Sequence, residues 1–210
     1  MTWPTALPLI AILRGITPPE ALDHVGALID AGFDAIEIPL NSPDWAISLR
    51  SVVAAFSEQA LIGGGTVLQP QYVEQLAELG GKLIVTPNTN PAVIRRAVEL
   101  GQVVAAGVAT PTECFAALEA GAHTLKVFPA GSFGPDYIKA VRAVLPAGTP
   151  VMAVGGVTPL NLKDYLRAGC IGAGLGSDLY KPGQPVSRTS SQARDFIAAY
   201  QAATGDITRP

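Results

Sequence analysis

Three residues of this chain could do chemistry together, and each stands out against an apolar run. Lys126 lies inside HTLKVFPA (123–130), Glu37 lies inside FDAIEIPL (33–40), and Arg14 directly follows PLIAIL (8–13). Long charged side chains are almost never fully buried without partners. One such residue in a strand reads readily as a buried ion pair or a charge that snorkels to the rim. Three, on three different strands, point instead to a shared site. A lysine with a pKa near ~10.4 is neutral in roughly one molecule in a few thousand at pH 7. Apolar surroundings and a neighbouring arginine both lower that pKa. The neutral amine can attack a ketone to form a Schiff base, and the protonated imine is an electron sink for a carbanion beside it. Glu37 could move the protons that imine formation and carbon–carbon cleavage require. Arg14 could hold a substrate carboxylate in a fork.

The elements that must position these residues follow from hydrophobic patterning. Apolar runs at 8–13, 33–40, 60–65, 82–87, 102–107, 123–128, 150–156 and 170–176 alternate with helix patterns at 18–31, 43–56, 70–79, 91–100, 111–120, 134–145, 160–168 and 191–203. The runs are almost continuously apolar, as parallel strands buried on both faces are. Gly32, Gly101, Gly121 and Gly169 fall where helix C-caps are expected. Eight strand–helix units predict a single (β/α)8 barrel domain over 1–210, with a loose tail from about 204. A doubly wound open sheet is the competing α/β architecture.

In such a barrel the active site lies at the C-terminal strand ends. Alternation puts Arg14 on the face of Ile10 and Ile12, turns Glu37 away from Ile36 and Ile38, and puts Phe128 on the face of Lys126. GGGT places Thr66 at the tip of the third strand. AVGGVTP (153–159) and GAGLGSD (172–178) end the last two strands with Gly155, Gly156, Gly176 and Ser177. Backbone N–H groups in glycine loops there can approach a phosphate closely.

Composition bounds the rest. Hydrophobic residues make up 49% and charged residues 15%, which suits a large core and excludes disorder. The net charge of −3 provides no global basic field for nucleic acid or a membrane surface, so a small anion needs a local site. Cys114 and Cys170 stand far apart, with no CxxC spacing for a disulfide framework or zinc. No HExxH or carboxylate–histidine cluster suggests a metal. His24 and His123 read as structural. No basic leader precedes the first apolar stretch, and no run reaches the ~18 apolar residues of a membrane helix, so the expectation is cytoplasmic.

These motifs together resemble the class I 2-keto-3-deoxy-6-phosphogluconate and -galactonate aldolases. The resemblance runs through IAILRG, EIPLNSP, GGGTVL, IVTPN, LKVFPA, AVGGVTP and GLGSDLY, in order. It implies a cofactor-free and metal-free Schiff-base aldolase acting on a phosphorylated keto acid, commonly trimeric. By the same resemblance Lys126 is the imine lysine and Glu37 the proton donor and acceptor. Arg14 and Thr66 hold the carboxylate, and Pro87 and Phe128 line the pocket. Gly155, Gly156, Gly176 and Ser177 hold the phosphate. Val154 stands where gluconate-type members are expected to carry threonine, which favours the galactonate branch, with the gluconate aldolase as the alternative. Gly64 stands where many members have alanine, and reads as a small cost in backbone order. Two readings of other classes remain open at this point: a phosphosugar epimerase with Glu37 as base, and a barrel that stores pyridoxal phosphate on Lys126.

Overall fold

The apolar runs have no polar face to offer water, and each becomes a short strand covered on both sides. In a computed structural model, which describes residues 3–207, the strands are β1 (Leu9–Ile12), β2 (Ala35–Pro39), β3 (Leu61–Gly65), β4 (Leu83–Val85), β5 (Val103–Val108), β6 (Thr124–Val127), β7 (Val151–Val154) and β8 (Gly172–Leu175). The helices between and after them are α1 (Pro18–Ala31), α2 (Trp45–Phe56), α3 (Pro70–Glu78), α4 (Pro91–Glu99), α5 (Pro111–Glu119), α6 (Ala130–Arg142), α7 (Leu162–Arg167) and α8 (Val186–Ile207). Each strand pairs in parallel with the next, and β8 closes onto β1. Closure excludes the doubly wound alternative, whose sheet would keep two edges. Among the described residues no helix is long and apolar enough to cross a membrane.

Alternation along the strands divides the core in two. Leu9, Ala11, Leu13, Ile36 and Ile38 join the large cluster beneath the helices. Ile10, Ile12, Ala35, Leu83, Val85, Ala105, Met152 and Val154 fill the barrel itself. Trp3 packs against that inner cluster. The N–H groups of Ala6 and Leu7 donate to Asp34 Oδ2, which fixes the segment before β1. The register sets Glu37 level with Ile12 on one side and Gly63 on the other, and Lys126 level with Gly107 and Met152.

Several sequence expectations need correction. α6 starts at Ala130 instead of 134, because a helical turn follows β6 at once and breaks at Gly134, whose φ is 77°. Pro135 then fits the first turn of the second piece, where its missing N–H costs nothing. α2 starts at Trp45 instead of 43, behind Asp44 in the left-handed region. α8 starts five residues earlier than expected, at Val186. It also runs through 204–207, where a loose tail was expected. Ala203 is buried there, and the Thr204 hydroxyl donates back to the carbonyls of Tyr200 and Gln201, which keeps the last turn wound. Residues 208–210 of that expected tail lie outside the described residues.

Both histidines are structural, as expected. His24 is buried against α8, with Nδ1 2.8 Å from Thr189 Oγ1 and its ring edge-on to Tyr180. His123 Nδ1 accepts from the Val104 N–H. Cys114 and Cys170 are buried free thiols.

Candidate active site

The C-terminal strand ends surround a cavity of about 380 Å³. Of the residues singled out in the sequence, Arg14, Thr66, Pro87, Lys126, Phe128, Val154, Gly155, Gly156, Gly176 and Ser177 all line it. Glu37 does not; it is the middle residue of β2, only 1% exposed, and not at a strand end as expected. Ile12, Val157 and Asp178 complete the wall and escaped the sequence reading. Ile12 and Val157 are apolar and carry no signal that separates pocket from core; Asp178 is charged and stands beside Ser177 in GAGLGSD, a signal that could have found it.

Lys126 is the penultimate residue of β6 and 5% exposed. Burial is the main cause that lowers its pKa; the Arg14 charge lowers it further, and the Glu37 carboxylate pulls the other way. Its Nζ sits 5.1 Å from the centre of the Phe128 ring, whose π face partly offsets the lost hydration of the ammonium. Glu37 is raised to about 7, again chiefly by burial, with Lys126 and then Arg14 drawing it down. The two groups thus approach each other in proton affinity from opposite ends, as groups that exchange protons near neutrality must. They form no direct ion pair, and Glu37 Oε2 has no hydrogen-bond partner. A buried acceptor left without a partner is costly unless the group is protonated or meets a ligand.

Room for that carboxylate comes from Gly65. A Cβ on Gly65 would lie 1.3 Å from Glu37 Oε2, inside its van der Waals shell. Gly64, its neighbour, faces outward, where a Cβ would come 2.7 Å from a Leu76 methyl and 2.8 Å from a Leu40 methyl. An alanine at Gly64 would require these leucine methyls to shift, a packing effect that stands beside the expected cost in backbone order.

Arg14 follows β1 by two residues and is exposed at the rim. Its Nη1 donates to Asn41 Oδ1 at 2.8 Å and, at a longer 3.4 Å, to Thr66 Oγ1. Thr66 itself has φ 57°, a left-handed conformation that a β-branched residue adopts only under strain of about 1–3 kcal/mol. Strain of this kind persists where the surroundings fix it, and here it turns a hydroxyl toward the Arg14 guanidinium.

At the far end, Gly155 and Gly156 have φ values of 92° and 76°. Both values lie in the region that residues with a Cβ adopt poorly, and both glycines line the cavity. Three contacts brace this loop. The Phe128 ring packs on Gly155, the Gly131 N–H donates to the Gly155 carbonyl, and the Asn161 amide donates to the Gly156 carbonyl. The Gly131 contact comes from the helical turn that sequence patterning did not reveal; the small residues of AGS (130–132) are its only sign. Opposite, the Gly176–Ser177–Asp178 segment is held from behind by Gln192, whose amide donates to the Asp178 carbonyl at 2.7 Å.

The cavity thus offers a lysine of lowered pKa, electrostatically coupled to the buried Glu37 carboxyl behind it, with an arginine at its rim and two glycine-containing loops among its walls. The model of the family described as KDPG and KHG aldolase matches residues 4–189. This chain belongs to that family. It is 63% identical to the 2-dehydro-3-deoxy-6-phosphogalactonate aldolase of Escherichia coli K12 over 97% of this chain and 99% of that one. It is 52% identical to the probable 2-dehydro-3-deoxy-6-phosphogalactonate aldolase of Rhizobium meliloti, over 96% of this chain and 95% of the other. A solved structure described as "Native KDPGal structure" superposes with a TM-score of 0.97 at 62% identity, covering 98% of this chain and all of that one. Membership in an aldolase family sets aside the epimerase and the pyridoxal phosphate carrier. It also bears on Gly65. Gly65→Ala is expected to displace the Glu37 carboxylate and lower aldolase turnover about 100-fold, the scale of a 1 Å misplacement. Steady-state kinetics alongside circular dichroism checks this, since the barrel should remain folded.

Proposed function

We propose that this chain reversibly cleaves 2-dehydro-3-deoxy-6-phosphogalactonate to pyruvate and glyceraldehyde 3-phosphate through a Schiff base on Lys126. The observation that carries the reading is a 5% exposed lysine coupled to a buried carboxyl raised to about 7, beside a cavity lined by Arg14 and by the Gly155–Gly156 and Gly176–Ser177 loops. The Lys126 amine attacks the C2 ketone, and loss of water leaves an iminium. Glu37 takes the proton of the C4 hydroxyl. The C3–C4 bond breaks, its electron pair moves toward the iminium to give an enamine, and the aldehyde departs. Glu37 returns the proton to C3, and water releases pyruvate and the free amine. Arg14 and Thr66 hold the carboxylate end; Gly155, Gly156, Gly176 and Ser177 hold the phosphate; Pro87 and Phe128 shape the wall between.

Val154 supports the galactonate epimer over the gluconate one. It is 4% exposed at the end of β7 and presents methyls, where a threonine would add a hydroxyl for the substrate. One hydrogen bond made or missed at a substrate hydroxyl can discriminate strongly. A coupled assay of pyruvate release tests the function directly: turnover of the galactonate compound is expected to exceed that of its C4 epimer. Equal or faster turnover of the gluconate epimer would overturn the branch assignment. Val154→Thr should move the ratio of the two kcat/KM values toward gluconate by about tenfold.

A homotrimer in the cytoplasm is part of the same proposal. The substrate carries a carboxylate and a phosphate, about three negative charges near neutrality, and does not cross membranes unaided; a 62% identical chain in a cage designed by fusing symmetric oligomeric domains supports an oligomer. Sedimentation of the purified protein at three chain masses is the expected result.

A further inference from the structure

We infer that Asn41 is a positioning residue, a neutral tether that fixes the Arg14 guanidinium without cancelling its charge. The inference rests on the proposed role of Arg14 as the carboxylate holder. Asn41 lies in a turn just past β2, closed by the Ser42 N–H donating to the Pro39 carbonyl. Two consecutive contacts stitch that turn to the loop after β1. Arg14 Nη1 donates to Asn41 Oδ1 at 2.8 Å, and the Gly15 N–H donates to Ser42 Oγ at 2.9 Å. Ser42 is 5% exposed, so the turn that presents Asn41 is itself anchored in the core. The Leu40 N–H donates to the Gly65 carbonyl, which ties the same turn to β3 and hence to Thr66.

The chemistry of the tether matters as much as its place. An exposed arginine carries large rotamer freedom, and ordering it on binding would cost affinity. An acidic partner would order it but would also satisfy its charge. The amide oxygen orders it and leaves it a full cation. Both acceptors, Asn41 Oδ1 and Thr66 Oγ1, take the same nitrogen, Nη1, so Nη2 and Nε keep their N–H groups for a ligand. A guanidinium with one nitrogen anchored and two open is suited to a bidentate carboxylate.

Two variants test this, with two ketones of similar size. Asn41→Ala frees Arg14; Asn41→Asp keeps the shape and the hydrogen bond but adds a charge. Borohydride trapping on the native protein is titrated with pyruvate and with hydroxyacetone, which has no carboxylate. The expected result is a half-saturating pyruvate concentration raised about tenfold by Asn41→Ala and about 100-fold by Asn41→Asp, with hydroxyacetone trapping unchanged. Cleavage of the full substrate should show the same rise in KM with kcat within about threefold. Unchanged pyruvate dependence in both variants would overturn the inference, and so would equal losses with both ketones, which would mark a general structural role. The proposed function fails separately: wild-type protein would then trap no pyruvate at all.

Discussion

Lys126→Ala is expected to leave a folded barrel that forms no borohydride-trapped pyruvate adduct and turns over at least on the order of 10⁴-fold more slowly. Among the described residues, two other lysines show how selective the position is. Lys82 is exposed before β4, and Lys139 is exposed on α6, and neither lines the cavity. Burial lowers the pKa of Lys126 and so raises its fraction of free amine. The fold should survive because a buried lysine of depressed pKa burdens the native state. Its folded pKa lies below the unfolded value, so its contribution to stability is intact only above about 10.4 and is lost as pH falls through the folded value. At pH 7 its removal relieves that burden. Lys126→Met, which fills the same channel, should melt no lower than wild type at pH 7. Lys126→Arg supplies a sharper control. It keeps a cation beside Glu37 but is never neutral, so it should be as inactive as the alanine variant. Intact-mass measurement after pyruvate and borohydride decides the matter. An adduct at wild-type level in either variant would place the imine elsewhere.

The part of this site that the sequence disclosed is the part made of contradictions. A lysine and a glutamate inside apolar strands violate the pattern of their own elements, and alternation then assigns their face. Glu37 and Lys126 were legible for that reason; eight strand–helix units pointed to the barrel, and the observed closure of β8 onto β1 excludes the open sheet. Residues that agree with their surroundings were silent. Asn41 sits in an ordinary turn, and nothing in NSP marks its amide as the partner of an arginine 27 positions away. Gly65 was visible only as one of three glycines; its reason for being glycine, the Glu37 carboxylate, comes from another strand. The helical turn at 130–133 was hidden because its job is to brace the Gly155 loop through a backbone bond, and backbone bonds leave little trace in side-chain pattern. The early start of α8 was obscured by the polar residues of 187–191. They are helical because Thr189 is buried against His24 and because Gln184 bonds to the Thr189 hydroxyl.

Glu37→Gln is the second large effect expected, and it separates catalysis from stability. Turnover should fall by about 10²–10⁴-fold, because glutamine can neither take the C4 hydroxyl proton nor return one to C3. Stability should move the other way. Glu37 holds its proton to about pH 7 in the folded barrel, whereas an unfolded chain releases it near 4.5. Between those values the native state binds more protons than the unfolded one, so wild-type stability declines as pH rises from about 4.5 to 7. Below that window the contribution is fully present; above it, up to about 3 kcal/mol is gone. Glutamine does not titrate and closely copies the protonated carboxyl in shape. The variant should therefore match wild type near pH 4.5 and gain on it through pH 7, after which the gap stays constant. Removing the carboxylate also removes the charge that raises the Lys126 pKa, so the amine becomes more available. Pyruvate should still be trapped on Lys126, while exchange of pyruvate methyl protons into deuterated water collapses with turnover. Denaturation midpoints at pH 5 and pH 8, measured beside that exchange rate, test both halves. If exchange persists at the wild-type rate, another group moves the proton. If the stability difference is flat with pH, Glu37 does not carry its proton to neutrality in the folded barrel.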